Sequence, residues 1–417
     1  MNPDKKIIKY MTGIASVCHY EVYRPVILLL LSFAFLPIAG LSQTIVYEQQ
    51  FLDSVIKNHP AFKIAELKVL QNKAQQKSAF NLPNPEVVAE SPTGDFYTIG
   101  VLQQIEFPTV YIRQKQLAEQ QTTLSEKEKK VTAIETRYLA KLLYLNFQYS
   151  ASMMKLLHSQ DSIYAELSEI ADRKFEVGDI DLISKTYANS QYGEVHAKYL
   201  SEQANYAGYA SQLKIYMNLK DSVSPALLGK SLLVIPGLLT DTLQLQSSPS
   251  IQYYEQVTKV NEAAWKVEKN KALPGIVAGY LNQGPEYTPS NLRFRAGITI
   301  PLWFWQYTGN IKSARYSFEA AKEEQILQEQ QLMRNIEFLK QQIFASALNL
   351  SYYEKTGMKQ ADELYEASRR FYESSEWDGI SFLRIANDAF AIKANYYMTL
   401  KSYNEFLLHY HFLNGTL

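Results

Sequence analysis

The chain has 417 residues, with 42 basic and 42 acidic side chains and so no net formal charge. That balance argues against nucleic acid as a partner, which would demand a basic patch to neutralise phosphates. Hydrophobic residues make up 47% of the chain, enough for a sizeable core, and 30 Tyr and 19 Phe stand against only 17 Gly and 15 Pro, a bias that suits long helices and aromatic belts at wet interfaces.

Residues 1–42 read as a secretory signal peptide. Lys5, Lys6, Lys9 and Arg24 precede the apolar run Val26–Leu36, and small residues lead to a cleavage site near Ser42. Met11 is an alternative start, because the basic segment is long. A run of about eleven residues is short for a transmembrane helix, which needs about 20; an uncleaved N-terminal anchor is the alternative. Cys18, the single cysteine, leaves with this segment. The mature chain then has no disulfide framework, no thiol chemistry and no lipid-accepting Cys after the apolar run. No later apolar run reaches about 18 residues, so any crossing of a membrane by the mature chain falls to β-strands.

His59-Pro60 opens a helical stretch that ends near Phe80–Pro83. Two strands follow, Pro85–Ser91 and Phe96–Leu102, flanking a turn at Pro92–Asp95. From Val110 to Val177 there is neither Gly nor Pro, a span of about 100 Å if fully helical. Ile134, Tyr138, Leu142, Leu145 and Tyr149 recur there at steps of three and four, as do Tyr164, Leu167, Ala171 and Phe175. Gly178 breaks the run, and a second helix is expected from Asp181 to about Leu219. Lys220 to Ser248, rich in Leu, Ser, Pro and Gly, reads as a linker.

The second half follows the same plan. Ser248-Pro249 opens a helix ending near Lys271–Pro274, and strands Gly275–Leu281 and Leu292–Ile300 flank Gly284–Ser290. Ile311 to Asp378 contains only Gly357 as a breaker, and a turn at Ser374–Gly379 follows. The last helix steps along Ile385, Ala389, Ile392, Tyr396, Leu400, Tyr403, Leu407 and Tyr410. Ala171–Phe175 matches Ala367–Phe371, so a repeat at about 47–219 is duplicated at about 249–414. The offset of about 190 to 197 residues is that of a whole unit, since solenoid repeats run about 20 to 50.

The strand Leu292–Ile300 carries the most information. Leu292, Phe294, Ala296, Ile298 and Ile300 share one face, and Arg293, Arg295, Gly297 and Thr299 the other. Apolar-out and polar-in is the pattern of a transmembrane barrel strand, in which Arg293, Arg295 and Thr299 face a wet lumen, since an arginine in lipid costs roughly 2–4 kcal/mol near the mid-plane. A soluble sheet with one solvated face alternates in the same way. Trp303, Trp305 and Tyr307 at the strand's end suit a membrane-interface belt, and a buried aromatic cluster is the alternative. Four strands do not close a barrel, and an open sheet in lipid leaves its edges unpaired. Insertion therefore requires several chains to pool strands; three would give twelve.

Phe175-Glu-Val-Gly178 after Arg173, Gly297-Ile-Thr-Ile-Pro-Leu302, and Gly309-Asn-Ile-Lys-Ser-Ala314 together resemble the TolC-like outer membrane efflux protein family, over essentially Gln43–Leu417. The resemblance implies a mainly α fold with a small β part: a long coiled-coil α-helical barrel plus four transmembrane strands per chain, internally duplicated. It implies a homotrimer with a 12-stranded barrel in outer-membrane lipid of a Gram-negative bacterium, extending into the periplasm. It further implies a passive export duct and not an enzyme, with no cofactor and no metal site, joined through a periplasmic adaptor to an inner-membrane pump of the RND type. The adaptor-contact tips would be Val177, Gly178 and Asp179, and Ser375 to Gly379. Family members often close the periplasmic end with acids just past the second tip, where this chain has Ser381 and Arg384. The aperture candidates are therefore Asp179, Asp181, Glu376, Asp378 and Arg384, read against solvated acids at a helix start that suit its dipole. Asn84-Pro85-Glu86 is similar to the heavy-metal-efflux branch, which makes metal cations the expected cargo. Drug efflux and type I protein secretion remain alternatives, as does, in another class, a periplasmic coiled-coil structural protein without a pore.

Enzyme chemistry has no motif behind it. Of the six His only His409 and His411 are close, and there is no His-Glu-x-x-His, phosphate-cradling Gly loop or Gly-x-Ser-x-Gly. Met153-Met154 reads as gap-filling on a helix.

Overall fold

A computed structural model of the chain describes residues 44–90, 98–230, 248–281, 289, 293–374 and 379–417. The signal peptide 1–42, the first hairpin turn, most of the second, residues 231–247 of the linker, Leu292, and Ser375, Glu376 and Asp378 lie outside the described residues. Ile45–Leu417 form one compact unit.

The chain begins with β1 (Thr44–Val46), α1 (Glu48–Asn58) and α2 (Pro60–Ser78), then β2 (Glu86–Glu90) and β3 (Thr98–Ile105). The helix α3 (Pro108–Glu176) has 69 residues, about 100 Å of rise. α4 (Leu182–Met217) folds back along it: Ser168 donates to Asn189 at 2.7 Å, His196 meets Asp161 at 3.0 Å, and Ser150 reaches Glu202 further on. After β4 (Val223–Pro225), the second half runs α5 (Pro249–Lys271), β5 (Gly275–Leu281), β6 (Phe294–Thr299), α6 (Phe304–Tyr352), one π turn (Tyr353–Gly357), α7 (Met358–Glu373) and α8 (Gly379–Asn414). Proline occupies the first turn of α2, α3 and α5, where its missing N–H would have had no helical partner. Asn218 ends α4 in the left-handed region at φ 53.

Three local expectations change. Trp303 caps α6, and Trp305 and Tyr307 lie in its first turn, so these aromatics open a helix rather than end a strand; the chain turns helical as soon as it is past Pro301. The run 311–378, in which Gly357 is the one breaker, is interrupted at that glycine, which closes a π turn. The stretch read as a linker starts with β4, which pairs with β1.

That small pairing caps one core cluster, in which Phe51, Leu52 and Val55 of α1 pack with Ala140, Tyr144 and Phe147 of α3, Leu213 of α4, and Val46 and Val223. Tyr144 is fully buried there. Its hydroxyl donates to the Val46 carbonyl at 2.8 Å and accepts from the Ala226 amide at 3.2 Å, and burial raises its pKa. Tyr144→Phe strands both backbone groups, and is expected to cost about 1–3 kcal/mol, read as a lower melting temperature.

Candidate functional site

Two regions carry the expected site residues: a four-stranded sheet and one end of the helical bundle. The sheet has the order β2-β3-β5-β6, all antiparallel. Its register sets Val101 beside Tyr280, Tyr280 beside Phe294, Ile276 beside Ile298, and Val87 beside Val101. Because side chains alternate across a strand, these residues, with Ile99, Ala278 and Ala296, make one nearly continuous apolar face. That face is open to its surroundings: Val87 is 71% exposed, Phe294 70% and Ile298 71%. Trp303 and Trp305 beyond the end of β6 are exposed too, with ring centres 5.1 Å apart. Within this chain, among the described residues, β2 and β6 have a neighbour on one side only.

Arg295 and Thr299 lie on the opposite face, opposite Gly279 and Gly275. Arg293 stands before the strand, and its carbonyl accepts the Leu281 amide at 3.1 Å. This second face is built on close approach. Gly100 sits opposite Leu281, and Gly279 opposite Leu102. A Cβ on Gly100 would meet Tyr280 O at 2.8 Å, and one on Gly279 would meet Val101 O at 2.6 Å. Each leucine thus lies across a glycine of the neighbouring strand, and nothing larger than hydrogen fits.

At the bundle end, α3 stops in a Schellman turn. The Gly178 amide donates to Phe175 O at 3.0 Å and the Asp179 amide to Lys174 O at 2.8 Å, with Gly178 at φ 79. A Cβ on Gly178 would touch nothing within 4 Å, so the glycine answers to backbone conformation and not to crowding. Asp179 lies 3.5 Å from Lys174. Asp181 caps α4, its Oδ1 accepting the Ser184 amide at 2.8 Å. The Ser184 hydroxyl, then its amide, holds the Asp181 carboxyl below its ordinary value. A depressed carboxyl adds stability above its unfolded pKa and loses it as pH falls through the folded one. Asp181→Asn keeps an acceptor without the charge, and is expected to flatten the acid limb of the melting temperature against pH.

A chain of contacts fastens this hairpin just above the turn. Ser168 donates to Asn189, Asn189 to Asp172 at 3.0 Å, Asp172 pairs with Lys185 at 3.3 Å, and Lys185 stands over the Phe175 ring at 4.9 Å. The Asn189 amide, then Lys185, lowers the Asp172 pKa.

The start of α8 comes to the same end. Tyr164, Leu167 and Ala171 of α3, Ala188 and Val195 of α4, and Phe382, Leu383 and Ala386 of α8 form one buried cluster. Tyr164 donates to Leu383 O at 3.3 Å, and burial pushes its pKa up to about 12. The structure therefore brings Val177, Gly178, Asp179, Asp181, Gly379 and Arg384 to one end of the bundle. It does not join them: among the described residues Asp179 and Asp181 have Lys174 and Ser184 as partners, and Arg384 stands exposed on α8. Sequence reasoning missed the apolar knob around the first tip, where Val177 is 80% and Ile183 74% exposed, with Leu182 beside them. The signal was present as Leu-Ile directly after the capping Asp181.

Among the described residues no group of three or more His, Cys, Asp or Glu is placed to hold a metal ion, and no helix is long and apolar enough to cross a membrane. No protein-family model matches the sequence, and no curated protein matches it. Solved structures match it in fold. The Campylobacter jejuni CmeC outer membrane channel is 15% identical with a TM-score of 0.75, over 88% of this chain and 85% of that one. CusC is 12% identical with a TM-score of 0.72, over 92% and 95%. The open state of the Neisseria gonorrhoeae MtrE outer membrane channel is 12% identical with a TM-score of 0.68, over 88% of each chain. Long paired helices beneath a small antiparallel sheet with an exposed apolar face, matched along nearly the whole chain, give this protein the fold of those outer membrane channels.

Proposed function

We propose that this chain is the outer-membrane channel subunit of a tripartite export system in a Gram-negative bacterium, a passive duct and not an enzyme. The observation that carries the reading is the sheet. It exposes apolar side chains from all four strands on one face, holds Arg295 and Thr299 on the other, and among the described residues ends in two unpaired edges. An apolar face suits lipid, but open edges do not, because backbone groups in hydrocarbon need partners. A homotrimer answers both demands: β6 of one copy pairs with β2 of the next, and twelve strands close. The helices then extend into the periplasm, and the tip with Val177, Gly178, Leu182 and Ile183 meets a periplasmic adaptor that leads to an inner-membrane pump of the RND type. Heavy-metal cations are the proposed cargo, on the strength of the Asn84-Pro85-Glu86 resemblance.

The channel reading is tested with purified protein in planar bilayers, where trimers with steady ion conductance are expected. A urea-extractable protein without conductance would make it a periplasmic coiled-coil structural protein instead. The cargo is tested by a deletion strain challenged with zinc, cobalt, cadmium, copper and silver beside dyes, bile salts and antibiotics. Sensitivity confined to metals supports the cargo proposed; sensitivity to the amphiphilic compounds replaces it with general drug efflux.

A further inference from the structure

We propose that the two edges of the sheet are matched by charge: the acids on β2 of one copy receive the bases on β6 of the next, and like edges reject each other. The inference rests on the channel reading for its trimer, and deepens it by naming what sorts one edge from the other.

The charges of the sheet are segregated by strand. β2 reads Glu-Val-Val-Ala-Glu, with an acid at each end. β3 and β5 have no charged residue. β6 has Arg295, and Arg293 stands directly before it. One edge is therefore acidic, the other basic, and the strands between them neutral.

The register puts these charges on one face. Glu86 lies opposite Leu102, Leu102 opposite Gly279, and Gly279 opposite Arg295, a single row across four strands. Residues set opposite each other in antiparallel strands share a face, so Glu86 and Arg295 both stand on the face turned from the apolar one. Three strand spacings, about 14 Å, keep them apart within the chain. Both are exposed, and among the described residues neither has an ionic or hydrogen-bonded partner.

Charge on an open edge has two physical uses. Charge of either sign discourages stray strand pairing. Opposite charge on opposite edges does more, because cross-strand pairs of opposite sign are favourable and like charges set against each other are not. When β6 meets β2 of another copy, Arg293 and Arg295 come to the edge that holds Glu86 and Glu90. Two β2 edges would set acid against acid, and two β6 edges base against base. β2 and β6 also run in opposite directions, so the favoured pair is antiparallel like every other pair of this sheet. Rejection of the wrong edge then contributes to specificity alongside attraction to the right one.

Charge reversal in the full-length protein tests this, with trimers counted on native gels of detergent-extracted membranes. Glu86→Arg with Glu90→Arg makes both edges basic, and Arg293→Glu with Arg295→Glu makes both acidic. Each pair of changes is expected to lower the trimer yield on the order of tenfold. Trimers that still form should dissociate at a lower temperature, which about 1 M salt raises, since the screening length shrinks there to about 3 Å. The same salt should lower the dissociation temperature of the wild type. All four changes in one chain restore the yield. That chain, separately tagged and made beside the wild type, is expected to form trimers with itself and not mixed ones. If it fails to fold, the opposite salt responses decide. Full yield from either pair of changes, salt responses of one sign, or mixed trimers in statistical proportion overturn the charge matching. A wild type that yields no trimers overturns the channel reading, whereas conducting trimers that ignore the reversals overturn the matching alone.

Discussion

Ala296→Arg is expected to remove the protein from the outer membrane, while Thr299→Arg leaves it there. The two positions are three residues apart on β6 and face opposite sides of the sheet. Ala296 lies on the exposed apolar face between Phe294 and Ile298, and Thr299 lies on the face that already carries Arg295. An arginine aimed at hydrocarbon costs roughly 2–4 kcal/mol near the bilayer centre, and much less near the interfaces or in a lumen. In the proposed trimer the substitution occurs three times, so the loss is about 6–12 kcal/mol per barrel. That is comparable with the whole stability of an ordinary domain, about 5–15 kcal/mol. Membrane fractionation followed by urea extraction reads the outcome. Normal insertion of Ala296→Arg would mean that this face does not meet lipid.

The second large effect is expected at the first tip. Gly178→Val should abolish export, giving the phenotype of a deletion strain, with trimers still present in the membrane. At φ 79 a β-branched residue is strained by about 1–3 kcal/mol, enough to unmake the two backbone bonds that close the Schellman turn. Nothing lies within 4 Å of a Cβ added at Gly178, the sheet and the cluster around Tyr144 are remote in sequence, and the nearest residues of the cluster around Tyr164, Ala171 and Ala188, lie seven and ten positions away, so folding is spared. What moves is the setting of Val177, Leu182 and Ile183. Gly178→Asn is the control, because asparagine tolerates the left-handed region and should restore much of the export. Export that survives Gly178→Val would detach this tip from the adaptor.

The long helices were legible because length alone exposes them. A run such as Val110–Val177 without Gly or Pro has few other ways to fold, and α3 ends within one residue of the expected point. Gly275–Leu281 coincides with β5, since its alternation and flanking breakers agree. The pairing of β1 with β4 was not legible: Val223–Pro225 is three residues long, and its contact with Thr44–Val46 spans nearly the whole first half. Nor was the π turn, although Gly357 marked it, because a lone glycine in a helix more often signals only weak propensity. The crossing of Leu281 over Gly100 and Leu102 over Gly279 depends on β3 lying beside β5, which no local pattern encodes. Of the site, Gly178 and the two faces of β6 could be read from spacing. The convergence of the first tip and the start of α8 on the cluster around Tyr164 and Phe382 could not, because it joins residues more than two hundred positions apart.

The unlike edges of the sheet bear on how the assembly comes into being. β2 and β6 are different surfaces, so copies joining edge to edge meet head to tail, and only a ring closes such a series. One copy, or two, still shows a raw edge and a bare apolar face to water, the condition under which strands recruit wrong neighbours. In the proposed trimer, productive encounter needs three molecules and not two, and its yield should fall steeply with dilution. On that reading, newly made chains would spend their most vulnerable moments waiting for company.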